Sequence, residues 1–285
     1  MEEPIRNITV IHQILSIADI DFESECIYGY TELTIASAQP DLEINTINLN
    51  CKQCKLYCVV FNGSVEAQTY EYCDPSLIKP CNDETKRDLQ SLLYQDEYGR
   101  LSVDADEGNG EMCITVPDNI KEQLKLGQQI KLAVEFCLEK PEGGVRFVID
   151  RGCESSDISK NSYLYTIDNQ SSCWFPCIQS YNEFCTWKIE ITCDEELDAL
   201  SSGNLIETED LLETSFTDNT NGSFQQGASK RKKFHYFLAE PTCAPNIGIC
   251  VGKFSSVTDA NLSEVTYYGE LELLGLVKNT TAFLR

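Results

Sequence analysis

The stretch CWFPCIQSYNEFCTWKIEIT, residues 173–192, decides how the rest of the chain is interpreted. It holds both tryptophans of the chain and three cysteines, and it ends in the alternating run 186–192, which is typical of a strand. Pro176 restricts Phe175 to extended backbone. Trp174, Phe175 and Trp187 can each bury a large area and fix neighbouring strands. The stretch therefore predicts an aromatic-rich corner of a β structure.

Similar alternating runs recur about every ten residues along the chain and are separated by turn residues. They are rich in Val, Ile, Tyr, Phe and Thr, the residues that strands prefer. No alternation of strands with helices is visible, which argues against a parallel α/β fold. The pattern predicts a mainly β chain of twisted antiparallel sheets or a β-sandwich. The runs are 7–16, 26–35, 55–62, 65–72, 111–116, 129–138, 144–149, 162–167, 232–240 and 246–254.

Helical signals are few. A short helix is predicted over 118–126, after Pro117 and before Gly127, and a turn or two over 75–88. From about Leu274 the apolar residues return to helical spacing, so we expect the sequence to stop within an element. The Asn-, Thr-, Gln- and Ser-rich segment 208–229 has little to bury and is predicted to be a disordered loop.

The charge balance limits the classes of partner. The chain has 46 acidic and 22 basic residues, a net charge of -24, so as a whole it should repel nucleic acid. The exception is a basic island, Lys230, Arg231, Lys232 and Lys233. It can be a nuclear localisation signal or a contact with DNA or a partner protein, or it can be the solvated end of a loop, which is favoured.

The N-terminus lacks a basic region followed by an unbroken apolar stretch, and no apolar run approaches the length of a membrane helix. We therefore expect a cytosolic or nuclear chain with reduced thiols. Cysteines such as Cys58, Cys113 and Cys193 sit at apolar positions of alternating runs, where a free thiol behaves as a small hydrophobe.

The spacing of Cys51, Cys54 and Cys58 resembles half of a zinc site. Cys73 and Cys81 could complete it, but Cys58 falls in the apolar register of a strand, so structural thiols are favoured. Catalytic motifs such as HExxH, the P-loop and G-x-S-x-G do not occur. His12 and His235 lie within predicted strands, and a place on a sheet face is favoured for His235. No cofactor is expected.

Several segments resemble the N-terminal β domain of the aminopeptidase N family of zinc peptidases. That domain carries Phe-Pro-Cys, an aromatic residue and Asp-Glu-Pro, and then a strand that begins near a Thr-aromatic pair. Phe175, Pro176 and Cys177 match, and Thr186 and Trp187 fall at the corresponding offset. The resemblance implies a saddle-like N-terminal domain.

The departures from that family lie at the positions that hold substrate. Gln179, Ser180 and Tyr181 replace Asp-Glu-Pro, and the family's substrate-binding Gln or Glu falls at Tyr165. Because no substrate must be held, we expect the residues at 179–181 to be free to vary.

One branch of this superfamily, formed by subunit 2 of the general transcription factor TFIID, is similar along nearly the whole chain. Its pattern includes Trp-Phe-Pro-Cys and then Ser-Tyr-x-Glu-x-Cys-Thr-Trp-Lys, matched by 174–177 and 180–188. Further matches are YTELTI (30–35), CKQC (51–54), GNGE (108–111), KPEGG (140–144), GNLIET (203–208) and KKFHY (232–236).

This resemblance implies a non-catalytic scaffold in the nucleus that supports complex assembly and core-promoter recognition for RNA polymerase II. The implied neighbours are other TFIID subunits, among them the largest subunit and the histone-fold subunit 8, with promoter DNA reached through the full complex. The implied domains are 1–262, the β domain, and 263–285, a linker and the start of a truncated thermolysin-like domain. The alternative is the substrate-side domain of an active zinc aminopeptidase, and a free-standing adhesion-like β-sandwich is a third reading.

Overall fold

A computed structural model describes residues 6–39, 41–67, 70–72, 110–149, 162–218, 224–259, 262, 264–269 and 273–276. Most of them lie in strands, as the alternating pattern predicts. The strands are β1 (Ile8–Asp21), β2 (Cys26–Ser37), β3 (Thr46–Leu49), β4 (Lys55–Phe61), β5 (Val65–Glu66), β6 (Tyr70–Tyr72), β7 (Met112–Thr115), β8 (Ile130–Glu139), β9 (Val145–Val148), β10 (Tyr163–Thr166), β11 (Cys185–Asp194), β12 (Asp198–Ser201), β13 (Asn204–Asp218), β14 (Phe224–Thr242), β15 (Ile249–Gly252), β16 (Ser255–Thr258) and β17 (Thr266–Gly269).

The largest sheet has eight strands in the order β13-β14-β11-β1-β2-β8-β4-β5. Its pairs are antiparallel except β1 with β11, which run parallel and bring the N-terminal strand beside the strand of the aromatic stretch. On β11, Trp187, Ile189 and Ile191 are buried on the core side. The alternate residues Lys188 and Glu190 lie on the outer face. The two-residue period of the sequence therefore sets which face packs on the core.

Three smaller sheets complete the described part of the chain: β12-β15-β10-β9, β3-β7-β6 and β16-β17. The helix α1 (Asp118–Lys125) buries Ile120 and Leu124, and this confirms the helix predicted over 118–126. Short 3-10 turns occur at Ser171–Cys173 and Ala244–Asn246. The mainly β fold class is confirmed. The turn predicted over 75–88 lies outside the described residues.

The loop predicted over 208–229 is wrong for the residues that the structure describes. They belong to β13 and β14, which form a long antiparallel hairpin. The prediction failed because it required a segment to bury apolar side chains, whereas two paired strands satisfy their backbone groups through each other. Gly203 precedes β13 with a φ of +94°, and a Cβ there would lie 2.7 Å from the carbonyl oxygen of Phe237. A glycine is therefore required where the hairpin begins.

The predicted domain boundary at 262/263 falls between β16 and β17, which pair with each other. None of the helices in the described ranges combines the length and the apolar character that a membrane crossing requires.

Candidate functional site

The aromatic stretch forms a buried corner beside the eight-stranded sheet. Trp174 and Phe175 are fully buried and Trp187 is 1% exposed. The ring centroids of Trp174 and Phe175 lie 4.4 Å apart, those of Phe175 and Trp187 lie 6.0 Å apart, and both pairs are edge-to-face. We call these three side chains the aromatic corner. Edge-to-face contact adds to the burial of apolar area, so the corner fixes the position of β11.

Hydrogen bonds fasten the corner to distant parts of the chain. The indole Nε1 of Trp187 donates to the carbonyl oxygen of Thr242 at the end of β14, at 2.8 Å. The Nε2 of Gln13 on β1 donates to the carbonyl oxygen of Pro176 at 3.2 Å and to the hydroxyl of Thr31 at 2.7 Å. Buried polar groups need such partners, so the corner can adopt this position only when these strands are in register.

Gly144, which has a φ of +76°, packs closely against the same corner. A Cβ at this position would lie 2.8 Å from the Cβ of Cys173, 2.9 Å from the carbonyl oxygen of Gln170 and 3.1 Å from Trp174. Neither the conformation nor the space admits a larger residue. The glycine of the KPEGG segment is thus part of the corner.

Gln179 contradicts the expectation that residues 179–181 are free to vary. Its side-chain Oε1 accepts a hydrogen bond from the backbone N–H of Ser172 at 2.9 Å, and its Nε2 donates to the carbonyl oxygen of Asn169 at 3.2 Å. Its backbone N–H donates to the Oδ1 of Asn50 at 3.0 Å. Gln179 joins three segments of the chain, so this residue has a structural role. Sequence reasoning missed this because the partners are distant in the chain.

Tyr165 occupies the outer face of the four-stranded sheet. It lies on β10, is 39% exposed, and stacks on Tyr163 with ring centroids 6.4 Å apart. Arg146 and Cys250 are its neighbours on the adjacent strands. The phenol of Tyr165 cannot supply the carboxylate or amide oxygen that the resemblance to the peptidases leads one to expect at this position.

The structure does not bring Cys51, Cys54 and Cys58 together as one group. Cys51 and Cys54 are fully buried and lie near Cys173 and Cys177, because the backbone of Asn50 pairs with that of Cys177. Cys58 instead lies on β4 beside Glu135. The described cysteines are free thiols. Cys73 and Cys81 lie outside the described residues.

Burial raises the pKa of the Cys54 and Cys177 thiols well above the usual value, so these groups are protonated at neutral pH. Protonated thiols in an apolar site behave as small hydrophobes. Among the described residues, no group of three or more His, Cys, Asp or Glu side chains is arranged to hold a metal ion.

A charged cluster that sequence reasoning missed lies on the outer face of the eight-stranded sheet. Its centre is Glu190, which is 6% exposed. Oxygens of its carboxylate lie 2.6 Å from the Nζ of Lys188 and 2.7 Å from the Nζ of Lys233. Burial alone would raise the pKa of Glu190, but the two ammonium groups lower it to about 2. The signal was the Lys-x-Glu alternation of β11 opposite the lysines of β14.

Both histidines lie on sheet strands, as predicted. The Nδ1 of His12 lies 2.7 Å from the hydroxyl of Thr186. Burial lowers the pKa of His12, although a hydrogen bond with the backbone of Thr186 opposes this effect. His235 lies between two carboxylates, with its Nδ1 3.4 Å from Glu190 and its Nε2 3.6 Å from Glu209. The two rings are thus engaged by neighbours on the sheet face.

The basic island is largely neutralised by the chain's own acidic residues. Lys233 binds Glu190, as described above. The guanidinium of Arg231 lies 2.6 Å from Asp19 and also donates to the carbonyl oxygen of Ala18 at 3.2 Å. The Nζ of Lys230 lies 3.6 Å from Glu195. In the described part of the chain, Lys232 is the member of the island without an ion pair, so little free positive charge remains for a phosphate.

Comparison with known proteins agrees with this arrangement. No protein-family model matches the chain. It is 36% identical over 285 residues to TFIID subunit 2 of Gallus gallus and 34% identical over 289 residues to that of Drosophila melanogaster. Each match covers 99% of this chain but only 23% and 22% of the relative. The chain thus spans less than a quarter of the length of these curated relatives, and the resemblance to TFIID subunit 2 is confirmed.

Solved structures show the fold. Yeast LTA4 hydrolase in complex with bestatin matches with a TM-score of 0.61 at 16% identity, over 95% of this chain and 32% of that one. An M1 zinc metallopeptidase of Deinococcus radiodurans matches with a TM-score of 0.51 at 15% identity, over 92% of this chain and 47% of that one. The fold is therefore aminopeptidase-like, as predicted.

Proposed function

We propose that this chain, a homologue of TFIID subunit 2 along nearly all of its length, is a non-catalytic structural part of a TFIID subunit. The observation that carries the proposal is the 36% identity over 99% of the chain to a protein of that name, against 14% to 16% for the solved enzymes that share the fold. In this role the chain supports assembly of the complex and core-promoter recognition in the nucleus. Its neighbours are other subunits, including the largest subunit and subunit 8, and promoter DNA is reached through the complex.

The residues at the substrate positions support a role without catalysis. The side-chain oxygen and nitrogen of Gln179 already form hydrogen bonds with Ser172 and Asn169. Tyr165 presents a phenol where a peptidase needs an acid or amide. Conversion of this surface into a peptide-binding site would require both residues to change.

The division of the chain is part of the proposal. In this proposal residues 1–262 are the saddle-like β domain, and residues 263–285 are a linker and the start of a thermolysin-like domain. The pairing of β16 with β17 fastens the start of that connection to the β domain.

The decisive experiment is affinity capture of the endogenously tagged full-length protein from nuclear extract, with quantitative mass spectrometry. We expect TFIID subunits, including the largest subunit and subunit 8, in near-stoichiometric amounts. An unrelated nuclear protein of similar negative charge is the control, because an acidic bait attracts basic proteins without specificity.

The same preparation tests the alternative. An active zinc aminopeptidase would contain about one zinc ion per chain and would cleave an aminoacyl-p-nitroanilide. Activity and zinc without TFIID subunits would overturn the proposal.

A further inference from the structure

We propose that the free edge of β13, residues 204–212, binds an extended basic segment of a partner protein, which adds a strand to the eight-stranded sheet. The inference does not depend on membership in TFIID. It rests on the backbone of the edge, on its side chains and on its charge.

The backbone of this edge is unpaired in the described part of the chain. β13 is the terminal strand of its sheet, and among the described strands it pairs only with β14. The opposite edge of the same sheet is β5, which has two residues. Natural proteins keep edge strands short or cover them, because a row of free N–H and C=O groups is a template for another strand. β13 is the long edge of this sheet, and its described residues are not covered.

The side chains of the edge leave apolar surface exposed. Asn204–Asp210 are exposed throughout, and Leu205, Ile206 and Leu212 are exposed by 49%, 66% and 75%. Leu205 lies on the core side of the sheet plane, because it is opposite the buried Tyr236. The register shifts by one residue after Leu205, and this shift places Leu212 on the same side. An added strand with apolar residues on that side would cover them.

The charge of the edge selects the partner. Glu207 and Glu209 lie on the outer face of the sheet, and Asp210 lies on the core side. The segment 204–212 contains no Lys or Arg. In the described part of the chain these three carboxylates form no salt bridge with Lys or Arg, and Glu209 lies 3.6 Å from His235. A second copy of β13 would place carboxylates opposite carboxylates, which is unfavourable. A strand that alternates Lys or Arg with apolar residues would place its basic side chains beside Glu207 and Glu209 and its apolar side chains beside Leu205 and Leu212.

The test uses a fluorescent nine-residue peptide of alternating lysine and valine as the probe, with binding measured by anisotropy. Its control is the same peptide N-methylated at every backbone amide, which keeps the charge but cannot form a strand ladder. We expect only the unmethylated peptide to bind, and amide exchange in 204–212 to slow when it does.

Charge reversal locates the site. The variant E207K/E209K should bind the lysine peptide about tenfold more weakly, since two cross-strand attractions become repulsions. The variant E43K/E122K makes the same change of net charge at two exposed positions away from the edge and should bind as the parent does.

Any of five results would overturn the proposal. Equal binding of both peptides would indicate attraction by net charge alone. Equal weakening by the two variants, or unchanged amide exchange in 204–212, would mean that the peptide does not bind at this edge. A dimer in light scattering that E207K/E209K dissolves would assign the edge to a second copy, and an absence of binding at millimolar peptide would also refute the proposal.

Discussion

The aromatic corner and the β13–β14 hairpin are joined through one pair of strands, yet they are stabilised in opposite ways. Trp187 of the corner lies opposite Leu238 of the hairpin. The corner side chains are at most 1% exposed, whereas Asn204–Asp210 of the hairpin are exposed on both faces. Burial of aromatic area stabilises the corner, and backbone pairing with a few ion pairs stabilises the hairpin. The fold therefore constrains the side chains of the corner and leaves those of Asn204–Asp210 available for contacts.

The largest difference should appear when a ring is removed from the corner. Trp187→Ala should lower the free energy of unfolding by about 3 to 5 kcal/mol, because it leaves a cavity and also removes the hydrogen bond to Thr242. Urea denaturation followed by circular dichroism measures this change.

The matched change in the hairpin is Leu212→Ala, where the side chain is 75% exposed. We expect a change within about 0.5 kcal/mol. Similar losses for the two variants would mean that the hairpin side chains contribute to the core as the corner does, and the comparison would fail.

Glu190 links the two regions, because it lies on β11, the strand of the corner, and forms an ion pair with Lys233 of β14 in the hairpin. Glu190→Gln should cost about 1.5 to 3 kcal/mol at pH 7, because the ammonium groups of Lys188 and Lys233 lose their shared carboxylate. The control is Glu32→Gln, whose partner Lys131 is 58% exposed and which should cost less than about 1 kcal/mol.

The pH dependence of the same carboxylate has a definite sign. Its pKa is about 2 in the folded chain against an ordinary value of 4.5. Its contribution to stability is therefore fully present above about pH 4.5 and is lost as the pH falls towards 2. The difference in unfolding free energy between the parent and Glu190→Gln should shrink over this window. If the difference in unfolding free energy stays constant down to pH 2, the charge of Glu190 does not stabilise the contact between β11 and β14.

Gln179 sharpens the comparison within the corner itself. Gln179→Ala should cost about 1 to 3 kcal/mol, because the buried N–H of Ser172 loses its acceptor. Asn182→Ala, three residues later and exposed, is the control and should be neutral within about 0.5 kcal/mol. If Gln179→Ala is equally neutral in thermal and urea unfolding, residues 179–181 are as free to vary as the sequence alone suggested.

Sequence patterns predicted what depends on local periodicity. The strand that carries Trp187 and Ile189, and the helix α1, follow from alternation and from Pro117. Partnerships over long distances in the chain were not accessible: Gln179 with Asn50, Cys54 with Cys177, and Glu190 with Lys233 need the topology before they can be seen. The hairpin was mistaken for a loop because its polar composition hides a backbone that is satisfied by pairing.

The smallest effect is expected at the basic island, where composition and structure favour different roles. Lys230→Ala combined with Lys232→Ala should change the stability by less than about 0.5 kcal/mol, because the single ion pair involved, Lys230 with Glu195, is long and exposed. Arg231 and Lys233 are left unchanged in this test, since each binds a carboxylate of the fold.

The same double variant separates a DNA contact from a solvated face. A promoter duplex in filter binding at low salt should be retained no better by the parent than by the variant, because a net charge of -24 opposes phosphate and the island is mostly neutralised. Retention that falls with salt and disappears in the variant would assign these lysines to a phosphate. The hairpin would then carry a basic contact on β14 beside the acidic edge of β13, and its two strands would recognise partners of opposite charge.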